Sequence, residues 1–263
     1  MSDSGDPPTT SQTTTFTNEN DFPAARLPLT DAPRVPLWIF GYGSLMWRPG
    51  FAHDRAVRAR IEGWRRGFCI YSTHHRGTHA RPGLVLALDR GGACSGLAFR
   101  VPAQDAAITL AYLRAREQVN GVYREQPVKA RLDDGSGETI DAIAYVAERH
   151  HPSYAGRLSL VDQVRLIRGT AGISGPNLLY LISTLQRLEE LGICEPDLKR
   201  LMVLAGPHLA RLPHGDHTAR TARSLMRHCA RFPCRVPLMR KGDRRRFVHR
   251  LRMAEWALAN SPA

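Results

Sequence analysis

The chain has 263 residues, 43% of them hydrophobic, and a formal net charge of +13; that length fits one ordinary domain with extensions or two small ones, with enough apolar residues for a core. No apolar run approaches the roughly 18–20 residues that span a bilayer, so no membrane contact is expected, and the Ser/Thr/Asp/Asn-rich start, with Asp3 and Asp6, resembles neither a secretory signal nor a transit peptide. Residues 207–263 carry 13 Lys+Arg against 3 Asp+Glu, so +10 of the charge belongs to a C-terminal extension and the body is close to neutral.

Residues 1–33 are too polar to pack and read as a disordered or loosely attached extension. Leu37–Phe40 predicts a first strand that runs into the turn Gly41-Tyr42-Gly43-Ser44. Alternation around Trp64, Phe68 and Ile70 predicts a strand over 60–71, and the continuous apolar run Leu84–Leu88 a doubly buried one. Gly91-Gly92 then predicts a hairpin turn into a strand over 94–101. Pro102 and Asp105 open a helix whose apolar positions are Ile108, Leu110, Leu113 and Val119, with Gly121 just beyond its end. Strands over 126–132 and 139–146 flank the turn Asp133-Asp134-Gly135, and helices follow over 158–169, 177–191 and 195–205. Strands, one helix, two strands and then helices make an α+β fold, not the regular alternation of a doubly wound sheet. A catalytic domain over 34–206 is expected, and in the basic extension Phe247, Leu251, Ala254 and Leu258 form one apolar stripe of a helix.

The five cysteines (69, 94, 194, 229, 234) contain no Cys-x-x-Cys pair, and the count is odd. This favours a reducing, cytoplasmic setting with buried thiols. His228, Cys229 and Cys234 match no zinc spacing. Tyr42 and Met46 flank Ser44 two residues away on either side, so the Gly-x-Ser-x-Gly elbow of a serine nucleophile is absent. No dinucleotide fingerprint and no phosphate-binding loop is present either.

A glycine turn at a strand end leaves main-chain N–H groups uncovered and forms a cup for a carboxylate or other anion. Glu117 lies four residues after Leu113 and shares its helix face. Turned toward an apolar interior, its carboxyl would rise toward the range of a general base; the competing reading is a solvated glutamate paired with Arg114. The polar segment 72–79 offers Arg76 as a fork for a carboxylate, while His74, His75 and His79 read either as metal ligands or as loop caps. Tyr154, in Tyr154-Ala155-Gly156, is either a site hydroxyl or an ordinary half-buried tyrosine.

Phe40-Gly41-Tyr42-Gly43-Ser44-Leu45, Trp47, Pro49-Gly50-Phe51, His75-Arg76-Gly77-Thr78, Pro82–Leu88, Arg116-Glu117 and Tyr154-Ala155-Gly156 occur in this order. Together they resemble the ChaC family, the glutathione-specific gamma-glutamylcyclotransferases, over residues 37–205. The resemblance implies a small, closed or nearly closed mixed β-barrel flanked by helices. It also implies cleavage of glutathione to 5-oxoproline and cysteinylglycine, with no metal and no organic cofactor. On the family pattern Glu117 is the acid–base residue and the loop Tyr42–Leu45 binds the γ-glutamyl group. With Ile39, Phe40, Gly41, Tyr42, Gly43, Ser44 and Leu45, Arg76 and Tyr154 complete the expected substrate-binding set. One departure is Asn177-Leu178-Leu179-Tyr180-Leu181, where Leu179 stands in place of the family's usual Glu. Ring closure on other γ-glutamyl peptides or amines is the near alternative. From a different class, the basic extension would give a nucleic-acid-binding protein, but +10 there supports only weak, non-specific, salt-sensitive contact with polyanions.

Overall fold

The computed structural model describes residues 35–205. The expected extensions 1–33 and 207–263, with the stripe from Phe247 to Leu258 and the group His228, Cys229 and Cys234, lie outside the described residues. Five strands close a barrel: β1 Leu37–Gly41, β2 Arg55–Ser72, β3 Gly83–Val101, β4 Tyr123–Leu132 and β5 Thr139–Ala147, in the order β1-β3-β2-β4-β5. Neighbours are antiparallel except at the closure, where β5 runs parallel to β1 through Ile39 and Ile143 and to β3 through Leu88 and Val146. Helices α1 Ala106–Glu117, α2 Leu160–Ile167, α3 Asn177–Glu190 and α4 Pro196–Ala205 flank it. The architecture is thus α+β, a mixed closed barrel with helices, as the resemblance implies. A two-residue hairpin, β6 Ala171–Gly172 and β7 Gly175–Pro176, precedes α3.

Gly91-Gly92 is not a hairpin turn. β3 runs unbroken for 19 residues, paired with the 18 of β2. Pairing passes from Glu62 and Ala93 to Trp64 and Arg90 across an irregularity in which Gly63, Gly91 and Gly92 hold φ of +79°, +95° and +75°. Residues in that region bend the ribbon sharply while its ladder continues on both sides. The two glycines therefore curve one long strand and do not end two short ones.

The core is the barrel interior joined to the inner faces of α2, α3 and α4. Ile39, Phe40, Ile61, Leu84, Leu88 and Leu113 are fully enclosed with Leu181 and Leu185 of α3 and Leu201 of α4. In α1 the buried positions are Ala106, Thr109 and Leu113. Ile108 and Val119, expected on that face, are exposed; Val119 lies beyond the last helical residue, and Ile108 is one position, about 100° of helical rotation, from Thr109. Cys69 and Cys94 are free and buried, and burial pushes their thiols up to about 12 and about 11. Cys194 is disulfide-bonded, an exception to the expected mostly buried thiols; pairing follows distance in the fold, which sequence spacing does not reveal.

Candidate active site

β1 ends at Gly41, and a single 3-10 turn, Ser44–Met46, follows. Neither Gly41 nor Gly43 has a positive φ. At Gly41 the reason is space, whereas a side chain at Gly43 would meet only an ordinary contact. A Cβ on Gly41 would stand 3.0 Å from the Phe99 ring and 3.1 Å from Leu45 Cβ, and one on Gly43 would stand 3.5 Å from the Tyr180 hydroxyl. Ile39 and Phe40 are completely buried and paired with Phe99 and Ala98 of β3; they hold the turn from below and do not line it. The turn is fixed from behind by Arg66, whose buried guanidinium donates to the carbonyls of Tyr42 (2.6 Å) and Ser95 (2.6 Å) and pairs with Glu195. Arg187 donates to the Met46 carbonyl at 3.1 Å.

β1 covers β3 only from Leu97 to Val101. Further along, the edge of β3 from Leu84 to Leu88 meets a strand only at Leu88, and side chains take over its backbone. Asn177 pairs with Leu84 as a strand would, accepting from the N–H and donating to the carbonyl, both at 2.7 Å. The Tyr123 hydroxyl donates to the Leu86 carbonyl at 2.9 Å, and the Leu86 N–H faces Tyr180. The Leu88 N–H faces Tyr42, whose own hydroxyl donates to the Tyr145 carbonyl at 2.7 Å. Backbone groups this deep require partners, and here the partners are mostly tyrosines. Burial holds all three hydroxyls protonated, with Tyr180 pushed up to about 12 and Tyr42 and Tyr123 also raised well above the ordinary range.

Glu117 faces this tyrosine group. It lies on the Leu113 face of α1, as the spacing predicts, with its side chain 17% exposed. Burial raises its carboxyl above the ordinary carboxylate range, and Arg116, 3.1 Å away at Nε, pulls it part of the way back. Arg114, the partner in the competing reading, instead grips Glu125 with two bonds of 2.7 and 3.0 Å. Tyr145 also donates to Glu125, so that carboxyl is held below its usual range. The two glutamates are pushed in opposite directions: Glu125 toward the anion and Glu117 toward the protonated acid.

Arg76 reaches the same place from the rim. Its guanidinium lies 5.2 Å from the centroid of the Tyr180 ring, and Nη1 donates to the Ser174 carbonyl at 2.5 Å. The β6–β7 hairpin, which carries Ser174, therefore positions it. His75 is hydrogen-bonded to the Ser174 hydroxyl at 2.9 Å; among the described residues no three His, Cys, Asp or Glu side chains form a metal-holding group. Tyr154 is not brought to the others. It bridges to Ile70 of β2, donates to Asp89 at 2.9 Å and accepts from Arg149 at 3.2 Å. Asp89 is also paired with Arg65. This cluster pins the segment after β5 against the ribbon, and its demands fix the Tyr154 hydroxyl. Sequence reading missed Asn177, Tyr180, Tyr123, Arg66 and Arg116. A signal existed for two of them: Asn177 and Tyr180 are three apart on one helix and flank the Leu179 departure.

The family model described as ChaC-like protein matches residues 37–205. The chain belongs to the ChaC family. This ChaC-like chain is 38% identical to the glutathione-specific gamma-glutamylcyclotransferase of Escherichia coli over 168 residues, covering 64% of this chain and 72% of that protein. It is 36% identical to human glutathione-specific gamma-glutamylcyclotransferase 1, covering 63% of this chain and 76% of that protein. Its fold resembles a crystal structure of the yeast gamma-glutamyl cyclotransferase specific to glutathione, with a TM-score of 0.60 at 22% identity, over 69% of this chain and 99% of the yeast chain.

Proposed function

We propose that this ChaC-like chain cleaves glutathione to 5-oxoproline and cysteinylglycine, with Glu117 moving the proton. The observation that carries the reading is one carboxyl, raised by burial, facing the turn Gly41–Leu45 across a wall of neutral tyrosines. The names of the Escherichia coli and human relatives point to the same substrate.

The substrate's α-amine attacks its own γ-carbonyl carbon. A C–N bond forms, the carbonyl electrons move to oxygen, and Glu117 takes the proton that the amine loses. Collapse of the tetrahedral centre breaks the bond to the cysteinyl nitrogen, which leaves with the proton held by Glu117. Ring and dipeptide together account for every atom of glutathione. An amine of pKa about 8 matches a carboxyl lifted toward neutrality better than one near 4. Because the nucleophile is tethered, folding the γ-glutamyl arm into an attack pose supplies about 7–11 kcal/mol of the barrier. That pose is the task of Gly41–Leu45, where the first N–H groups of a helical turn have no intrahelical acceptor and suit a carboxylate or developing oxyanion. Arg76 supplies a cation at the rim for a substrate carboxylate. Ser44 binds and is not a nucleophile. Tyr154 supports the scaffold through Asp89.

The reading implies a cytoplasmic site of action, in which Cys69 and Cys94 stay thiols and the Cys194 disulfide is the departure from that setting, and weak polyanion contact through the basic extension. Incubation with glutathione should yield 5-oxoproline and cysteinylglycine in equal amounts, and E117Q should yield neither while melting cooperatively. Near-normal turnover by E117Q would sink the mechanism, and faster turnover of γ-glutamylcysteine or a γ-glutamyl amine would move the substrate assignment. Removal of residues 207–263 should leave turnover and weaken retention on heparin at low salt.

A further inference from the structure

One side chain joins the turn, the chain after it and Glu117. Arg116, the residue before Glu117, donates from Nη1 to the Arg48 carbonyl (2.8 Å), the Pro49 carbonyl (3.4 Å) and the Tyr112 hydroxyl (2.9 Å). Nη2 donates to the Ser44 hydroxyl at 3.2 Å, and Nε faces Glu117 Oε1 at 3.1 Å. The three nitrogens thus serve the chain after the turn, the turn itself and the carboxyl. We propose that Arg116 is a positioning residue: its planar fork locks Glu117 to the substrate turn, holds Oε1, and leaves Oε2 to exchange the proton.

The fork shape is the reason an arginine stands here. A lysine offers a point charge and cannot hold three directions in one plane. The surroundings are built for it too. Gly50 has φ +73°, and a Cβ there would lie 2.0 Å from the Tyr112 hydroxyl, so the chain leaves room for the tyrosine that steadies Nη1. The groups facing Glu117 are Arg116 from its own helix, Tyr42 from the turn, Tyr123 and Tyr145 from β4 and β5, and Tyr180 from α3. The tyrosines are neutral, so Arg116 is the cation in that set. Without it the same burial would act on Glu117 unopposed, and the carboxyl would stay protonated to higher pH.

The inference rests on Glu117 as the proton carrier, but its test does not depend on turnover. Protein labelled with 13C at the glutamate side-chain carboxyl, with E117Q to assign the signal, gives the Glu117 titration directly. An opposite charge at this range is worth about one unit or more, so R116Q should move that titration up by about one unit. The acidic limb of kcat/KM for glutathione should move with it, so the loss at pH 6 exceeds the loss at pH 9. S44A should raise KM and leave the limb in place. R116K keeps the charge without the fork, so the limb should stay while KM rises and kcat falls. A Glu117 titration unmoved in R116Q, or a pH-independent loss, overturns the proposal and reduces Arg116 to a packing role. If R116Q does not fold, R116K decides: wild-type kinetics would overturn it. An active E117Q would instead overturn the catalytic reading and leave the titration result standing.

Discussion

Asn177 stands where a sixth strand would pair, and removing it puts a number on that substitution of side chain for strand. In N177A the N–H and the carbonyl of Leu84 lose their partners together. Leu84 is fully buried, and so is Asn177. A buried backbone group left unpaired costs about 1–3 kcal/mol, so the pair costs about 2–6 kcal/mol. For a domain of this size each kcal/mol lowers Tm by about 2–4 °C, which gives a fall of roughly 5–20 °C. N177L should sit at the upper end, because its side chain excludes the water that would otherwise repair the gap. N177D should also lose stability, since a carboxylate accepts from the N–H but returns nothing to the carbonyl. Thermal and urea unfolding followed by circular dichroism measure all three. The loss should extend to kcat, because Asn177 opens the helix that brings Tyr180 to Gly43. If N177A and N177L both unfold within about 1 kcal/mol of the parent chain, the side-chain pairing is ornamental and the reasoning fails.

G96A should be severe, since its Cβ would stand 2.3 Å from the Gly41 carbonyl oxygen and 2.9 Å from the Phe40 ring; a loss of about 1–3 kcal/mol and a marked drop in turnover are expected, and normal stability would mean β1 and β3 part easily. R66A strands Glu195 and the carbonyls of Tyr42 and Ser95, and breaking a buried pair of this kind costs about 3–5 kcal/mol, readable as a shifted urea midpoint; a shift under 1 kcal/mol would contradict it. Glu117 gives a pH-dependent test. Its carboxyl is raised in the folded state, so it binds its proton more tightly folded than unfolded, and stability is lost as pH climbs from the ordinary glutamate range, near about 4.3, through the raised value. The Tm of E117Q should therefore gain on that of the parent chain as pH rises from 4 to 8, and parallel curves would refute the raised carboxyl.

The helix face of Glu117 and the burial of the strands were legible because two periodicities are strict. The four-residue step from Leu113 to Glu117 fixes a helix face whatever surrounds it, and the alternation in β2 and the apolar run Leu84–Leu88 fix burial. The glycines at 91 and 92 misled because a positive φ serves a turn and a bend equally; only the pairing of Ala93 with Glu62 and Arg90 with Trp64 distinguishes them. Arg116 entered the sequence reading only through the Arg116-Glu117 motif and received no role, since its partners, Ser44, Arg48 and Pro49, are about seventy residues away in the chain. Tyr154 was drawn toward the site by its motif, and no local pattern shows that Asp89, 65 residues earlier, claims its hydroxyl. Long-range hydrogen bonds of this kind are what sequence leaves open.

The long bent ribbon of β2 and β3 has a kinetic consequence. Its strands are joined by only the ten residues between Ser72 and Gly83, so its contacts close early in the search for the native state, whereas the proposed catalytic group must gather residues 41–45, 76, 117 and 177–180 across larger loops. Folding is then expected to run from the ribbon outward, with catalytic competence as its last event. Substitutions in the ribbon should slow folding, and those in the catalytic group should mainly speed unfolding. Stopped-flow refolding of G63A and S44A separates the two cases: comparable folding-limb changes in both would contradict that order.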